Sequence, residues 1–76
     1  MELRYTEHAE ENIKERELDK AVIEDVIRDP DRVEHGKFNR KIAQKMVGVK
    51  LLRVIYEQEG NVYIIITAYY ADPERY

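Results

Sequence analysis

The chain contains no cysteine and no serine. The first absence excludes disulfides, thiolate nucleophiles and cysteine-ligated zinc, and it suits a reducing cytoplasm. The second excludes a G-x-S-x-G nucleophile elbow and any other serine hydrolase arrangement. Glycine is scarce, at Gly36, Gly48 and Gly60, too scattered for a glycine-rich phosphate loop. Long apolar runs are also missing. The longest, Val62 to Ala68, is strand-length against the roughly 20 residues of a spanning helix. No basic segment leads into an apolar stretch, so no targeting or membrane segment is expected. A soluble, cytoplasmic protein folding as a single domain over residues 1–76 is the expectation.

One further absence is local. From Gly36 to Tyr56 there is no Asp or Glu, while Lys37, Arg40, Lys41, Lys45, Lys50 and Arg53 all fall there. Residues 1–35 carry twelve acids against six bases, so the net charge of −3 hides a segregated, cationic middle. Such a segment attracts phosphates through its local field. It equally suits a solvated sheet face whose edge lysines discourage aggregation.

The chain reads as helices first and strands second, an α+β pattern. Thr6 can cap a first helix that carries Glu7, Glu10 and Glu11 near its positive end. Asp19 can cap a second, in which Ala21, Val22, Ile23, Val26 and Ile27 recur at helical spacing up to Asp29-Pro30. The helical part is expected over about 6–29 and the sheet over about 32–70. A short strand near Val33, strands over Lys41–Val47, Leu51–Tyr56 and Val62–Tyr69, and turns at Gly48 and Gly60-Asn61 imply a three- to four-stranded antiparallel meander. With the simplest registers, Lys41, Lys45, Arg53, Thr67 and Tyr69 share one face. Leu52, Val54 and Tyr56 then face the helices with Ile64 and Ile66.

Few residues can carry chemistry. His8, in the first turn of the first helix, is the candidate acid–base group, since a neutral imidazole there can take a proton from a ribose 2′-hydroxyl; the alternative is a histidine that simply hydrogen-bonds near the helix start. His35, beside Gly36, reads as a surface histidine. Spacings such as His8/Glu11 arise readily in a glutamate-rich chain, so neither a metal nor another cofactor is expected. Arg16 reads as a salt-bridging surface residue among Glu15, Glu17 and Asp19. Arg53 interrupts an otherwise apolar strand and must face solvent, a groove or a partner, which makes it the sharpest functional cation. Tyr56 and Tyr63 read as packing residues.

The run Tyr5-Thr6-Glu7-His8-Ala9, Arg16 and the helix to Asp29-Pro30 resemble the opening of a family catalogued as domain of unknown function 4258. Leu52-Arg53-Val54-Ile55-Tyr56, Ile65-Ile66-Thr67-Ala68-Tyr69 and Arg75-Tyr76 resemble its end. The resemblance implies the compact fold of the RelE-like toxins, similar to barnase and the colicin ribonucleases, which cut RNA without a metal on a cationic sheet face. It gives His8 the acid–base role, Arg53 and Arg40 the phosphate, and Thr67 or Tyr69 its positioning, with Lys37, Lys41, Lys45 and Lys50 as RNA-binding cations. Two positions depart from the family pattern, which has arginine where this chain has Asn12 and glycine where it has Glu17. If that arginine takes part in chemistry, the chain is a weakened or non-catalytic member.

The leading expectation is therefore a toxin-type, metal-independent endoribonuclease. The alternatives are a non-catalytic RNA-binding module, or a domain whose basic face docks an acidic partner such as an antitoxin segment. The tyrosines Tyr69, Tyr70 and Tyr76 are candidates for covering a dimer edge or for closing the sheet on itself.

Overall fold

The structure, a computed structural model, describes residues 1–75; Tyr76 lies outside the described residues. Helix α1 (Glu7–Glu15) starts where Thr6 Oγ1 accepts a hydrogen bond from Ala9 N at 3.0 Å, with Glu7 and Glu10 in the first turn. It ends as Leu18 N–H reaches back to Ile13 O at 2.9 Å around Glu17, whose φ of 53° is left-handed. That six-to-one bond is a Schellman motif, in which glycine is the usual residue at the left-handed position. Helix α2 (Lys20–Arg28) starts where Asp19 Oδ1 accepts from Ala21 N at 2.8 Å, and Pro30 stops it by restricting Asp29. Its buried face, Ile23, Val26 and Ile27, is the apolar stripe of the sequence.

Five strands form one sheet: β1 (Glu2–Tyr5), β2 (Arg32–His35), β3 (Arg40–Val47), β4 (Lys50–Glu59) and β5 (Val62–Ala71), in the spatial order β1-β5-β4-β3-β2. The meander from β2 to β5 is antiparallel as expected, but β1 adds to it in parallel, so the sheet is mixed and five-stranded rather than three- to four-stranded. The sequence of β1, Glu-Leu-Arg-Tyr, hides this strand because its partner, Val62–Ile65, lies some sixty residues away.

Both helices cover one face of the sheet. Ile23, Val26, Leu52, Val54 and Ile65 are the largest side chains wholly removed from water, packed with Ala9, Ala43, Tyr56 and Ala68. Two registers correct the expected faces. The β3–β4 turn has two central residues, Gly48 and Val49, so Val47 pairs with Lys50, Lys45 with Leu52 and Lys41 with Tyr56. Lys41 and Lys45 therefore stand on the helix side, opposite to Arg53. In β5 the register shifts between Ile55, opposite Thr67, and Tyr56, opposite Ile65. This bulge skips Ile66 and turns Ile65, in place of Ile64 and Ile66, toward the helices.

The left-handed Glu17 generates a stability prediction. A non-glycine residue there is strained, so Glu17→Gly is expected to stabilise the fold by about 1 kcal/mol. In a domain of this size that raises Tm by about 4–8 °C. Thermal unfolding followed by circular dichroism checks it; an unchanged or lowered Tm would contradict the strain.

Candidate functional site

β1 stops pairing at Ile65, yet β5 runs on to Ala71. The exposed edge beyond that point is taken over by α1. Thr6 N donates to Ile65 O at 3.1 Å and Thr6 Oγ1 to Ile66 O at 3.3 Å. Asn12 Nδ2 donates to Thr67 Oγ1 at 2.9 Å, and an Arg16 guanidinium N–H donates to Ala68 O at 2.7 Å. Arg16 is thus an anchor of the helix on β5, which corrects its reading as a residue salt-bridged to its neighbours. Asn12, only 5 % exposed, is the anchor that sequence reasoning missed. A neutral amide in a helix of mostly charged residues was the available signal.

This seam positions His8. Residues four apart on a helix lie above one another on the same side, so His8, Asn12 and Arg16 form one stripe along the β5 edge. His8 is exposed, in the first turn of α1 as expected. Thr67, held by Asn12, shares its sheet face with Ile55, Ile42 and Glu34. The adjoining row on that face is Arg32, Gln44, Arg53 and Tyr69. The structure therefore brings Arg53, Thr67 and Tyr69 together beside the seam.

Arg53 is 4 % exposed despite its charge. A guanidinium N–H donates to Glu34 Oε2 at 3.3 Å, and the group lies 6.0 Å from the centre of the Tyr69 ring. Glu34 also meets Arg32, at 3.4 Å. The rest of the cationic segment is distributed rather than gathered. Arg40 faces Glu57 at 3.4 Å, at the tip-side end of the open face. Lys45 reaches over the helix side to Asp25 at 3.1 Å and Asp29 at 3.3 Å. These bonds, Asp25 foremost, raise the Lys45 pKa above its ordinary value and tie α2 to β3. Lys37 and Lys50 are exposed near opposite ends of β3, and Lys41 is half-buried on the helix side. The proposed RNA-binding lysines thus form no single patch with Arg53.

Tyr56 packs at 5.6 Å from Tyr63, and burial raises its pKa. His35 is the exposed last residue of β2. Among the described residues no group of three or more His, Asp or Glu is placed to share a metal ion. No helix among the described residues is long and apolar enough to cross a membrane.

Residues 5–70 match the family described as Domain of unknown function (DUF4258). The chain belongs to that family. No curated protein and no solved structure matches it.

The burial of Arg53 sets a measurable expectation. Glu34→Ala removes the carboxylate that faces a guanidinium shielded from water, and is expected to cost about 1–3 kcal/mol. Glu57→Ala breaks a half-buried pair with Arg40, far more accessible to water than Arg53, and is expected to cost no more than about 1 kcal/mol. Urea unfolding of both variants compares them; equal losses would mean that Arg53 does not depend on Glu34.

Proposed function

We propose that the chain is an RNA-directed, RelE-like module of toxin type that cleaves a phosphodiester without a metal at the seam of α1 and β5. The observation that carries this reading is the stripe His8-Asn12-Arg16. Helical spacing sets the exposed His8 one turn before Asn12, whose amide meets Thr67 on the face that also bears Tyr69 and Arg53. In the reaction the ribose 2′-oxygen attacks the adjacent phosphorus while His8 takes the hydroxyl proton. The bond from phosphorus to the 5′-oxygen breaks, leaving a 2′,3′-cyclic phosphate and a 5′-oxygen that takes up a proton. Once Glu34 swings aside, the Arg53 guanidinium, otherwise 4 % exposed, stabilises the charge growing on the phosphoryl oxygens, with phosphate replacing Glu34 as its anion. Thr67 and Tyr69 position the phosphate, and Arg40 offers a second cation further along the same face.

A second reading, binding of RNA without cleavage, is favoured by two observations. Arg53 already faces a carboxylate of its own chain, and at position 12 the short amide of Asn12 is spent on Thr67. Docking of an acidic protein segment, such as an antitoxin, would have to compete with Glu34, Glu57, Asp25 and Asp29 for the same cations.

End-labelled single-stranded RNA incubated with the protein in EDTA separates these readings. Cleavage to cyclic-phosphate ends, reduced about 100-fold or more in His8→Ala, is the expected result. His8 is exposed, so this variant should keep the fold. Salt-sensitive retention of intact RNA would select binding alone, and neither cleavage nor retention would overturn the RNA-directed reading.

A further inference from the structure

The hairpin joining β2 to β3 carries an unexplained aromatic. Phe38 is 83 % exposed, at the tip of a turn in which Arg40 N donates to Lys37 O at 3.2 Å. Phe38 and Asn39 both have left-handed backbones, with φ of 59° and 61°. A turn with both central residues left-handed is a type I′ turn, for which Asn-Gly is the favoured pair and a bulky side chain is unfavourable. The chain thus accepts strain to hold a phenyl ring in water, where it packs on nothing in the core. Strain kept without an intramolecular return is a mark of function.

The surroundings define which function. Between Gly36 and Lys41 the hairpin carries Lys37, Arg40 and Lys41 with no acidic residue, and His35 stands at its base. Gly36 N donates to Arg40 O at 2.7 Å, which closes the loop that carries the ring. The other strongly exposed apolar tip, Val49, has neither a planar ring nor a left-handed backbone. An exposed flat ring that follows Lys37 and precedes Arg40, itself 3.4 Å from Glu57, carries the chemistry of single-stranded nucleic acid recognition. Bases stack on the ring while the cations meet the phosphates, largely without regard to sequence.

We infer that Phe38 is a base-stacking contact for single-stranded RNA, with Lys37 and Arg40 as its phosphate partners. This rests on the RNA-directed reading above but not on cleavage. The sheet order puts the tip at the edge away from the seam. β2 and β5 are separated by three strand spacings of about 4.8 Å each. An RNA strand held by Phe38 would cross the open face past Arg40, Ile42 and Ile55 and arrive at Thr67 and Tyr69.

The test is fluorescence anisotropy of a labelled single-stranded RNA, and of the same oligomer with abasic positions, against the parent, Phe38→Ala and Phe38→Trp. Phe38→Ala is expected to weaken binding of the intact RNA by about 5- to 150-fold. Phe38→Trp should restore it, with quenching of an indole emission that the parent chain, lacking tryptophan, does not have. Abasic RNA should bind the parent and Phe38→Ala alike. Equal affinity of parent and Phe38→Ala for intact RNA would overturn the stacking contact while leaving the RNA-directed reading standing. No RNA binding by the parent would overturn both.

Discussion

The structure depends on how the free edge of β5 is satisfied. A central strand two residues longer than its partner would leave backbone carbonyls bare; here β5 outruns β1 by six residues, Ile66 to Ala71. Side chains of α1 and its caps answer that edge: Thr6 at the Ile66 carbonyl and Arg16 at the Ala68 carbonyl, with Asn12 on the Thr67 hydroxyl between them. Buried backbone groups without partners are costly, so these bonds fix both the axial position and the rotation of α1. The rotation places Ala9 in the core and leaves His8 exposed one helical turn before Asn12. One constraint of hydrogen bonding therefore links the fold to the candidate chemistry.

The cationic segment plays a more divided part than its charge pattern suggests. Its members separate because neighbouring residues of a strand alternate between faces. Lys45 joins β3 to α2 through Asp25 and Asp29, and Arg53 and Arg40 meet carboxylates on the other face. Their acidic partners come from outside the segment, which is why the chain segregates its charges in sequence and mixes them in space. What stays exposed and basic lies at the turns, most notably around Phe38.

Much of the fold was legible. Thr6, Asp19 and Pro30 mark the helix ends because caps and proline act locally, and Gly60-Asn61 marks the β4–β5 hairpin for the same reason. The seam and the faces were not. Lys41 and Lys45 change sides on the choice between a two-residue turn at Gly48-Val49 and a turn one residue longer. The bulge at Ile66 repeats that ambiguity, and β1 declares itself only through a partner at the far end of the chain. Arg53 was identifiable as unusual from its apolar strand, but its burial beside Glu34 and Tyr69 needed the register. Phe38 carried no sequence signal beyond being the single phenylalanine, since its strained backbone appears only in three dimensions.

The proposed RNA site joins the α1–β5 seam to the open face beside it. A two-dimensional NMR titration with a short single-stranded RNA tests it most directly. The account predicts that the His8 ring and the backbone amides of Thr67, Tyr69 and Arg53 shift together, with one apparent affinity. Shifts confined to the helix side around Lys45, Asp25 and Asp29, or no shifts at all, would contradict it.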